Sequence, residues 1–354
     1  MTTTAPKVNK PALARPGATL PTVSLVVVSW NAEDYLRQCL ASLFSEGHYP
    51  AADVIVVDNA SSDRSPDLVA RDYPQVRLIR NTTNLGFAKA NNIGISAATG
   101  KYVGFVNSDV KVLPTCIGRL VNYCEAHPEV GMVGPRIIGG DGQLQRSCRG
   151  FPTVWNMFCR ALALDTIFPR ARLFTGYSLW HWPQDTGRNV DILSGCFWLA
   201  RRKAIDDVGL LDESFFMYGE DMDWCKRFWE HGWKLSFVPS AEAIHYGGGS
   251  SANAPIRFYV ERHRADLQYW HKHHSRSSVA CYFGLTCLHL LLRLAGYAAA
   301  FLFRRSGREI CRYKMKRSVA ALKWMLSEGI KQGRSSMAPA LSIATNRANI
   351  SIVN

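Results

Sequence analysis

Carboxylates crowd into one short stretch, residues 209–227, which reads G-L-L-D-E-S-F-F-M-Y-G-E-D-M-D-W-C-K-R. Five acids stand beside an apolar cluster of two phenylalanines, a methionine and a tyrosine: Asp212, Glu213, Glu220, Asp221 and Asp223. Burying an unpaired carboxylate is costly, so acids beside such a cluster are either solvated or held there for a chemical task. Glu220 and Asp221 also open a predicted helix, where acids suit the helix dipole, so this stretch alone leaves both interpretations open.

Three further polar side chains each follow an apolar segment. Asp58 ends one such segment and could accept hydrogen bonds from a nucleobase or ribose, or else cap a helix. Asp109 ends another, and carboxylates together with substrate phosphates commonly hold Mg²⁺ or Mn²⁺. His245 precedes three glycines, an arrangement that can ligate a metal while the loop closes over a diphosphate. Each residue alone has a structural alternative, a turn carboxylate or a structural histidine. Together they favour a site for a nucleotide and a metal.

Strands that alternate with helices would position these side chains. Residues 23–30 form an apolar, β-branched run, typical of a strand buried on both faces of a parallel sheet. Asn31 follows it and is predicted to cap the next helix. The same order recurs at predicted strands 53–57, 76–80 and 102–106. We therefore predict a doubly wound α/β sheet whose ligands lie at the carboxyl ends of the strands. Gly86, after the third strand, would let the backbone approach such a ligand.

The second half of this region has a weaker pattern. A helix is predicted over 113–127, and strands over 130–138, 191–201 and 234–238. Residues 139–189 are rich in glycine, arginine and aromatic residues and have no clear period. We interpret them as loops and short helices that shape an acceptor site, with surface packing as the alternative.

Positive charge is concentrated near the end of the chain. The 354 residues carry a net charge of +14, and residues 257–334 hold sixteen Lys or Arg against four acids, a net +12. Such a basic region indicates a polyanionic surface as partner, either nucleic acid or anionic lipid. The ten scattered cysteines include no C-x-x-C pair, which indicates reduced cytosolic thiols and neither a zinc site nor a disulfide framework.

An apolar segment inside this basic region favours lipid. Residues 279–303 are long enough to span a bilayer, but Arg293 near the middle favours a helix that lies in the membrane plane. Residues 304–334 read as a basic amphipathic helix for an anionic membrane surface, and a soluble helical extension packed on the sheet is the alternative.

Four segments are therefore predicted: a disordered tail over 1–20 with no apolar signal-peptide run, a catalytic domain over 21–255, a helical membrane-associating extension over 256–334, and a disordered tail over 335–354.

The motifs, in their order along the chain, resemble a known enzyme family. They are V-V-V-S-W-N, V-D-N-A-S-S-D, N-x-x-N-L-G-F-A-x-A-N-N, F-V-N-S-D, L-S-G-C-F-W-L-A-R-R, the acidic stretch of 209–227, and I-H-Y-G-G-G-S. Over residues 22–255 the chain resembles the family 2 glycosyltransferases of GT-A fold. Within that family it is most similar to bacterial rhamnosyltransferases that extend lipid-linked glycans, although galactofuranosyl and other sugar transferases share the pattern.

The resemblance implies roles for individual residues. Asp58, with Ser29 and Asn31 beside it, would bind the nucleobase of the donor, and Gly86, Phe87 and Asn91 would line the nucleotide-sugar pocket. Asn107, Ser108 and Asp109 occupy the place of the family's D-x-D metal motif, with His245 as the other protein ligand of Mn²⁺ or Mg²⁺. Because the first acid of that motif is asparagine here, Asp109 would carry more of the coordination. Asp221 matches the general base, Glu220 is the second choice, and Arg227 would steady the acids or the diphosphate.

The activity implied is an inverting sugar transfer from dTDP-rhamnose or a UDP-sugar to a polyprenyl-diphosphate-linked acceptor. The enzyme would act at the cytoplasmic face of the inner membrane, on an anionic membrane surface, with no nucleic acid as partner. A processive synthase is disfavoured because the chain has no Q-x-x-R-W, and a dinucleotide-dependent dehydrogenase because G-x-G-x-x-G is missing after the first strand. A nucleic-acid-binding module and a catalytically inactive membrane scaffold stay as alternatives from other classes.

Overall fold

The computed structural model describes residues 20–45, 49–50, 52–247, 255–303 and 307–329. Apart from Leu20, the predicted tails over 1–20 and 335–354 lie outside the described residues. So does most of the glycine loop after His245, and with it the prediction that this loop closes over a diphosphate.

The strands within these ranges, in chain order, are β1 Val23–Ser29, β2 Ala52–Asp58, β3 Arg77–Arg80, β4 Tyr102–Asn107, β5 Val110–Val112, β6 Val130–Gly139, β7 Leu144–Gln145, β8 Cys148–Arg149, β9 Arg188–Asn189, β10 Ile192–Leu193, β11 Phe197–Arg201 and β12 Lys234–His245. The α-helices are α1 Glu33–Leu43, α2 Ser65–Asp72, α3 Phe87–Ala97, α4 Cys116–Ala126, α5 Val154–Ala161, α6 Leu164–Ile167, α7 Arg202–Val208, α8 Glu220–Glu230, α9 Pro255–His273, α10 Arg276–Phe303 and α11 Arg308–Trp324, and a π-helical segment Met325–Gly329 follows α11.

One large mixed sheet organises the molecule. Its strand order is β3-β2-β1-β4-β11-β6-β12-β5, with β7 paired to β6 and β9 to β12. Strands β3, β2, β1 and β4 are parallel, as the alternation of strands and helices predicts. The strand β11 runs antiparallel to both of its neighbours, β4 and β6. It therefore separates two groups of parallel strands within the sheet, one ending at β4 and the other formed by β6 and β12. This reversal brings the beginning of β11 to the edge where β1, β2 and β4 end.

The apolar strands are buried on both faces, which explains their continuous hydrophobic runs. In β1, Val26 packs into one core cluster, whereas Leu25 and Val27 pack into the cluster on the opposite face of the sheet. In β2, Ile55 and Val57 join the first cluster, as the alternation of side chains along a strand requires. The predicted α/β sheet, with an apolar core on each face, is therefore observed.

Strand register aligns the polar ends at one edge. Ser29 lies opposite Asp58 in the β1–β2 pair, and Val28 lies opposite Asn107 in the β1–β4 pair. The short strand β5 pairs antiparallel with β12, which sets His245 opposite Val110. Side chains that are far apart in sequence therefore meet beside one cleft.

Two local predictions from the sequence are wrong. Asn31 does not cap α1, because it has a left-handed backbone (φ 50°) and its side-chain oxygen accepts a hydrogen bond from the Ser62 amide at 2.7 Å. The cap comes from a neighbouring loop, since the first amide of α1, that of Glu33, donates to the Asp63 carboxylate at 3.0 Å. The single strand predicted over 191–201 is two strands, because β10 pairs with β8 in a separate two-stranded sheet.

The C-terminal helices differ in burial. Helix α9 buries Ala265, Leu267, Tyr269 and Trp270 in the core of the sheet domain, so the predicted extension contributes its first helix to that core. Helix α10 contacts α5 and α11. Within the described residues it is the helix long and apolar enough to cross a membrane, and only 11% of its apolar window is buried.

Candidate active site

A cleft of about 590 Å³ opens where β1, β2 and β4 end. It is lined by eight of the thirteen residues that the sequence predicted for the site: Gly86, Phe87, Asn107, Ser108, Asp109, Glu220, Asp221 and His245. The other five, Ser29, Asn31, Asp58, Asn91 and Arg227, do not line it. The carboxyl ends of the strands therefore form the site, as expected for an α/β sheet.

Two buried polar atoms lie behind one end of the cleft. Ser29 and Asp58 are 0% and 3% exposed, and neither Ser29 Oγ nor Asp58 Oδ1 has a hydrogen-bond partner among the described residues. Burial raises the pKa of the Asp58 carboxyl, although the Ser61 amide donates to its other oxygen at 3.2 Å and opposes this change. Buried polar atoms without partners are costly, so these two atoms suit a ligand with hydrogen-bond donors.

Asp109 and His245 meet through the β5–β12 pairing. Asp109 Oδ1 lies 3.3 Å from His245 Nε2, and Gln145 Oε1 lies 3.1 Å from the other ring nitrogen, Nδ1. Hydrogen bonding of the outer ring nitrogen orients metal-binding histidines in general. A carboxylate oxygen and an imidazole nitrogen are a fitting donor pair for a divalent cation such as Mn²⁺.

This donor pair would need help from the substrate. Within the described part of the chain, no group of three or more His, Cys, Asp or Glu side chains is placed to hold a metal. Asn107 stands where the first carboxylate of the motif would be, and it lines the same cleft. A cation held by Asp109 and His245 would therefore take its remaining ligands from a phosphate group or water.

Glu220 and Asp221 open α8, as predicted, and both line the cleft. Asp221 is half-buried, and its Oδ2 accepts a hydrogen bond from the Gly195 amide at 3.4 Å. Glu220 is only 5% exposed, and its Oε2 lacks a partner among the described residues. Burial, and then the negative charge of Asp221, raise the pKa of the Glu220 carboxyl well above its ordinary value. Asp221 is thus the carboxylate that a substrate can reach.

Replacement of Glu220 by glutamine is expected to stabilise the fold at pH 8 by about 1 kcal/mol or more and to change little near pH 4. The pKa of Glu220 is raised on folding, so its contribution to stability is present below the ordinary value of 4.5 and is lost as pH rises through the folded pKa. Glutamine imitates the protonated acid at every pH. Thermal unfolding at both pH values measures this effect. Glu129→Gln, an exposed acid, is the control, and an equal gain at both pH values would contradict the prediction.

Arg227 ties the first turn of α8 to the segment before it and does not line the cleft. Its Nε donates to Asp223 at 2.9 Å, and its two terminal nitrogens donate to the carbonyls of Val208 and Leu210. It therefore steadies an acid, as proposed from the sequence, but that acid is the fully buried Asp223.

Asp223 is a structural carboxylate. Its Oδ1 accepts from His273 Nε2 and Lys272 Nζ, both at 2.7 Å. Burial alone would raise the pKa of the Asp223 carboxyl, yet the bonds to His273 and Lys272 lower it to about 2. Asp223 therefore ties α8 to α9.

Asn91 and Gly86 make contacts within the chain. Asn91 is 2% exposed, and its side chain donates to the Phe87 carbonyl at 2.9 Å, within α3. Gly86 was expected to let the backbone approach a ligand. The close approach is instead within the chain, because the Phe87 amide donates to the Phe216 carbonyl at 2.7 Å and an added Cβ at Gly86 would lie 2.5 Å from that carbonyl oxygen.

Replacement of Gly86 by alanine is expected to destabilise the fold by about 3 kcal/mol or more. The residue has a φ of +84°, and the new Cβ would also force apart the contact that joins α3 to the acidic stretch. Gly142→Ala is the matched control, because it has a φ of +78° with nothing within 4 Å of the added Cβ. Urea unfolding compares the two variants, and a loss for Gly86→Ala no larger than for Gly142→Ala would sink the idea.

Several cleft residues were not among the thirteen predicted for the site, although residues 139–189 and Arg149 within them were assigned to a region that shapes an acceptor site. Arg149, Arg160 and Tyr177 line the cleft from residues 139–189, and Arg262 and Asp266 line it from α9. The excess of arginine and aromatic residues in 139–189 was the available signal, but without a period the sequence did not indicate which of them face the cleft.

The comparison with known families decides the assignment. The sequence model of Glycosyl transferase family 2 matches residues 24–209. A relative from Mycobacterium tuberculosis, named N-acetylglucosaminyl-diphospho-decaprenol L-rhamnosyltransferase, is 32% identical over 263 residues, which cover 71% of this chain and 84% of the relative. The chain belongs to glycosyl transferase family 2. The family predicted from the motifs is confirmed, and so is a glycosyltransferase activity.

Solved structures support the same fold. A mannosyltransferase from Pyrobaculum calidifontis, determined with GDP-Man and Mn²⁺, superposes with a TM-score of 0.54 at 17% identity and covers 88% of each chain. GalNAc-T7, determined with UDP, GalNAc and Mn²⁺, gives a TM-score of 0.51 at 16% identity over 90% of this chain and 58% of the other. This family 2 glycosyltransferase therefore has the predicted GT-A fold.

Proposed function

We propose that this glycosyltransferase moves rhamnose from dTDP-rhamnose to a polyprenyl-diphosphate-linked acceptor, with inversion at the anomeric carbon, in cell-envelope polysaccharide synthesis. The observation that carries the proposal is one cleft lined by two chemically different groups. They are the Asp109 and His245 pair and the accessible Asp221 carboxylate. The choice of sugar and acceptor is supported by the relative from M. tuberculosis, whose name specifies rhamnosyl transfer to a diphospho-decaprenol acceptor.

Asp221 is proposed as the general base. In the half-buried position at the start of α8, it would accept the proton of the acceptor hydroxyl, and the oxygen would attack the anomeric carbon from the face opposite the diphosphate. The Gly195 amide bound to Asp221 Oδ2 orients the carboxylate. Such an in-line displacement passes through an oxocarbenium-like transition state and inverts the configuration of the sugar.

Asp109 and His245 are proposed to hold Mn²⁺ or Mg²⁺, which would offset the negative charge that grows on the departing diphosphate. Asn107 and Ser108 would contact the donor beside them. At the ends of β1 and β2, Ser29 Oγ and Asp58 Oδ1 would take hydrogen bonds from the nucleobase. Asn31 is proposed as a support for this end, because its side chain fixes the loop at Ser62.

The enzyme is proposed to act at the cytoplasmic face of the inner membrane, on an anionic membrane surface. Leucines on α10 are exposed, namely Leu288, Leu291 and Leu292 at 39%, 49% and 46%. Exposed basic side chains follow on α11, among them Arg308, Arg312 and Lys316. An apolar helix beside a basic one favours a membrane of anionic lipid over nucleic acid as the partner.

A donor screen tests the proposal. Purified full-length protein, with Mn²⁺ or Mg²⁺ and polyprenyl-diphosphate-linked N-acetylglucosamine, is incubated in turn with dTDP-rhamnose, UDP-galactofuranose and GDP-mannose. We expect a rhamnosylated lipid by mass spectrometry with dTDP-rhamnose alone, and NMR of the product reports the anomeric configuration. Product from a UDP-sugar alone would overturn the choice of donor, and no product from any donor would overturn the proposed function.

A further inference from the structure

A second cavity of about 660 Å³ adjoins the active-site cleft. The two share four lining residues, Arg146, Arg149, Arg160 and Tyr177. Neither Asp109 nor His245 lines the second cavity. The cleft therefore continues, past a group of arginines, into a space separate from the proposed donor end.

Two of these arginines flank one aromatic ring. The guanidinium carbons of Arg149 and Arg160 lie 5.7 and 5.5 Å from the centre of the Tyr177 ring. Neither arginine forms an ion pair with an acid of the described residues. Arg149, Arg160 and Arg262 all act electrostatically on the one carboxyl of Asp266. The arginines therefore outnumber this acid, and arginine forks match phosphate oxygens well.

The arginine pair is on the acceptor side of the cleft. The nearby Tyr177 raises the pKa of the Arg149 guanidinium. Burial opposes this change, and the negative charge of Asp221 adds to it. Arg149 therefore lies within electrostatic reach of the proposed base. An anion bound by Arg149 would be a neighbour of the sugar hydroxyl that Asp221 activates, which is the position of a phosphate attached to the acceptor sugar.

The second cavity also has apolar side chains in its lining. Leu162 and Ala163 line it from the α5–α6 region and Leu292 lines it from α10, beside the polar Asp165 and Arg293. Exposed apolar side chains continue outward from the α5–α6 region: Trp155, Ile167, Phe168, Leu173 and Trp180, between 44% and 63% exposed. A cavity that combines arginines with apolar side chains, beside an exposed apolar surface, fits an amphiphile, an anionic head on a hydrocarbon chain.

We propose that Arg149, Arg160 and Tyr177 bind the diphosphate of a prenyl-diphosphate-linked acceptor, and that its hydrocarbon chain leaves between the α5–α6 region and α10. The site deepens the proposed function and rests on it. It places the acceptor diphosphate apart from the donor diphosphate, so that the acceptor sugar lies between Asp221 and the arginine pair.

Farnesyl diphosphate, a water-soluble prenyl diphosphate, tests the site by calorimetry on the full-length protein in EDTA, which removes metal-dependent binding at the donor end. We expect Arg160→Gln to weaken binding about tenfold or more. Arg160 is exposed, so the variant should fold normally. Arg170→Gln removes an equal charge from the same region outside both cavities and should bind as the wild type does. Equal affinity of the two variants for farnesyl diphosphate would overturn the proposal. So would competition by phosphatidylglycerol vesicles as strong as that by farnesyl diphosphate itself.

Steady-state kinetics separates this inference from the proposed function. Arg160→Gln should raise the KM for the lipid-diphosphate acceptor about tenfold and leave the KM for an alkyl N-acetylglucosaminide, which lacks the diphosphate, unchanged. Transfer to both acceptors without any effect of Arg160→Gln would overturn the site but not the transferase function. Binding of farnesyl diphosphate that depends on Arg160, without sugar transfer, would support the site while it contradicted the function.

Discussion

Replacement of Asp221 by asparagine is expected to lower kcat by about 10²- to 10⁴-fold while nucleotide-sugar binding changes little, the effect of losing a general base. Asparagine keeps the size of the side chain and an oxygen that can accept from the Gly195 amide, but it cannot accept the proton of the acceptor hydroxyl. Transfer rates measured at saturating donor and acceptor, with donor binding followed by calorimetry, separate the two effects.

The neighbouring acids supply the controls. Asp206→Asn changes an exposed acid on α7 and should keep the wild-type rate. Glu220→Gln should keep far more activity than Asp221→Asn, because Glu220 is buried and burial favours its protonated form. If Glu220→Gln were inactive and Asp221→Asn active, Glu220 would be the base and the second choice made from the sequence would be correct.

Replacement of Asp109 by alanine is expected to abolish the increase in donor affinity that Mn²⁺ provides and to lower kcat/KM by about 10²- to 10³-fold. Asn107 occupies the position of the first acid of the motif, so Asp109 supplies the carboxylate of the pair with His245. The stabilisation of the protein by Mn²⁺ with dTDP, measured by thermal shift, gives a readout that is independent of transfer.

Two further variants serve as an intermediate case and a control for this prediction. His245→Gln keeps a polar side chain beside Asp109 and should weaken the Mn²⁺ effect less than Asp109→Ala does. Asp185→Asn, an exposed acid outside the cleft, should leave it unchanged. A normal Mn²⁺ response in Asp109→Ala would show that the metal does not bind at this pair.

The sheet could largely be predicted from local sequence. Each of β1, β2 and β4 is an apolar run with a polar end, and a strand buried on both faces produces that pattern whatever its neighbours are. The reversal of β11 could not be predicted, because a short apolar run such as F-W-L-A-R does not indicate whether the strand pairs parallel or antiparallel to its neighbours. The meeting of Asp109 and His245 depends on β5, a three-residue strand too short for a recognisable pattern.

The acids of 209–227 illustrate what sequence patterns leave out. Glu220, Asp221 and Asp223 occupy one helical turn, and the motif resemblance singled out Asp221. The role of Asp223 depends on Lys272 and His273 of α9. No pattern in the acidic stretch predicts that α9 packs beside it. Arg149 was noted in the region assigned to an acceptor site, but its place beside the acids, and the role of Tyr177, could not be predicted because only tertiary contacts bring them there.

The bond between Asp223 and His273 has a consequence for how the enzyme is made. The chain leaves the ribosome from its N-terminal end, and Asp223 of α8 lacks its partners on α9 until residue 273 has emerged. Helix α10 begins at Arg276, three residues later. A nascent chain therefore acquires the contacts that hold α8 in place at almost the same moment as its apolar helix starts to appear, so that folding of the cleft and emergence of α10 belong to one stage of synthesis.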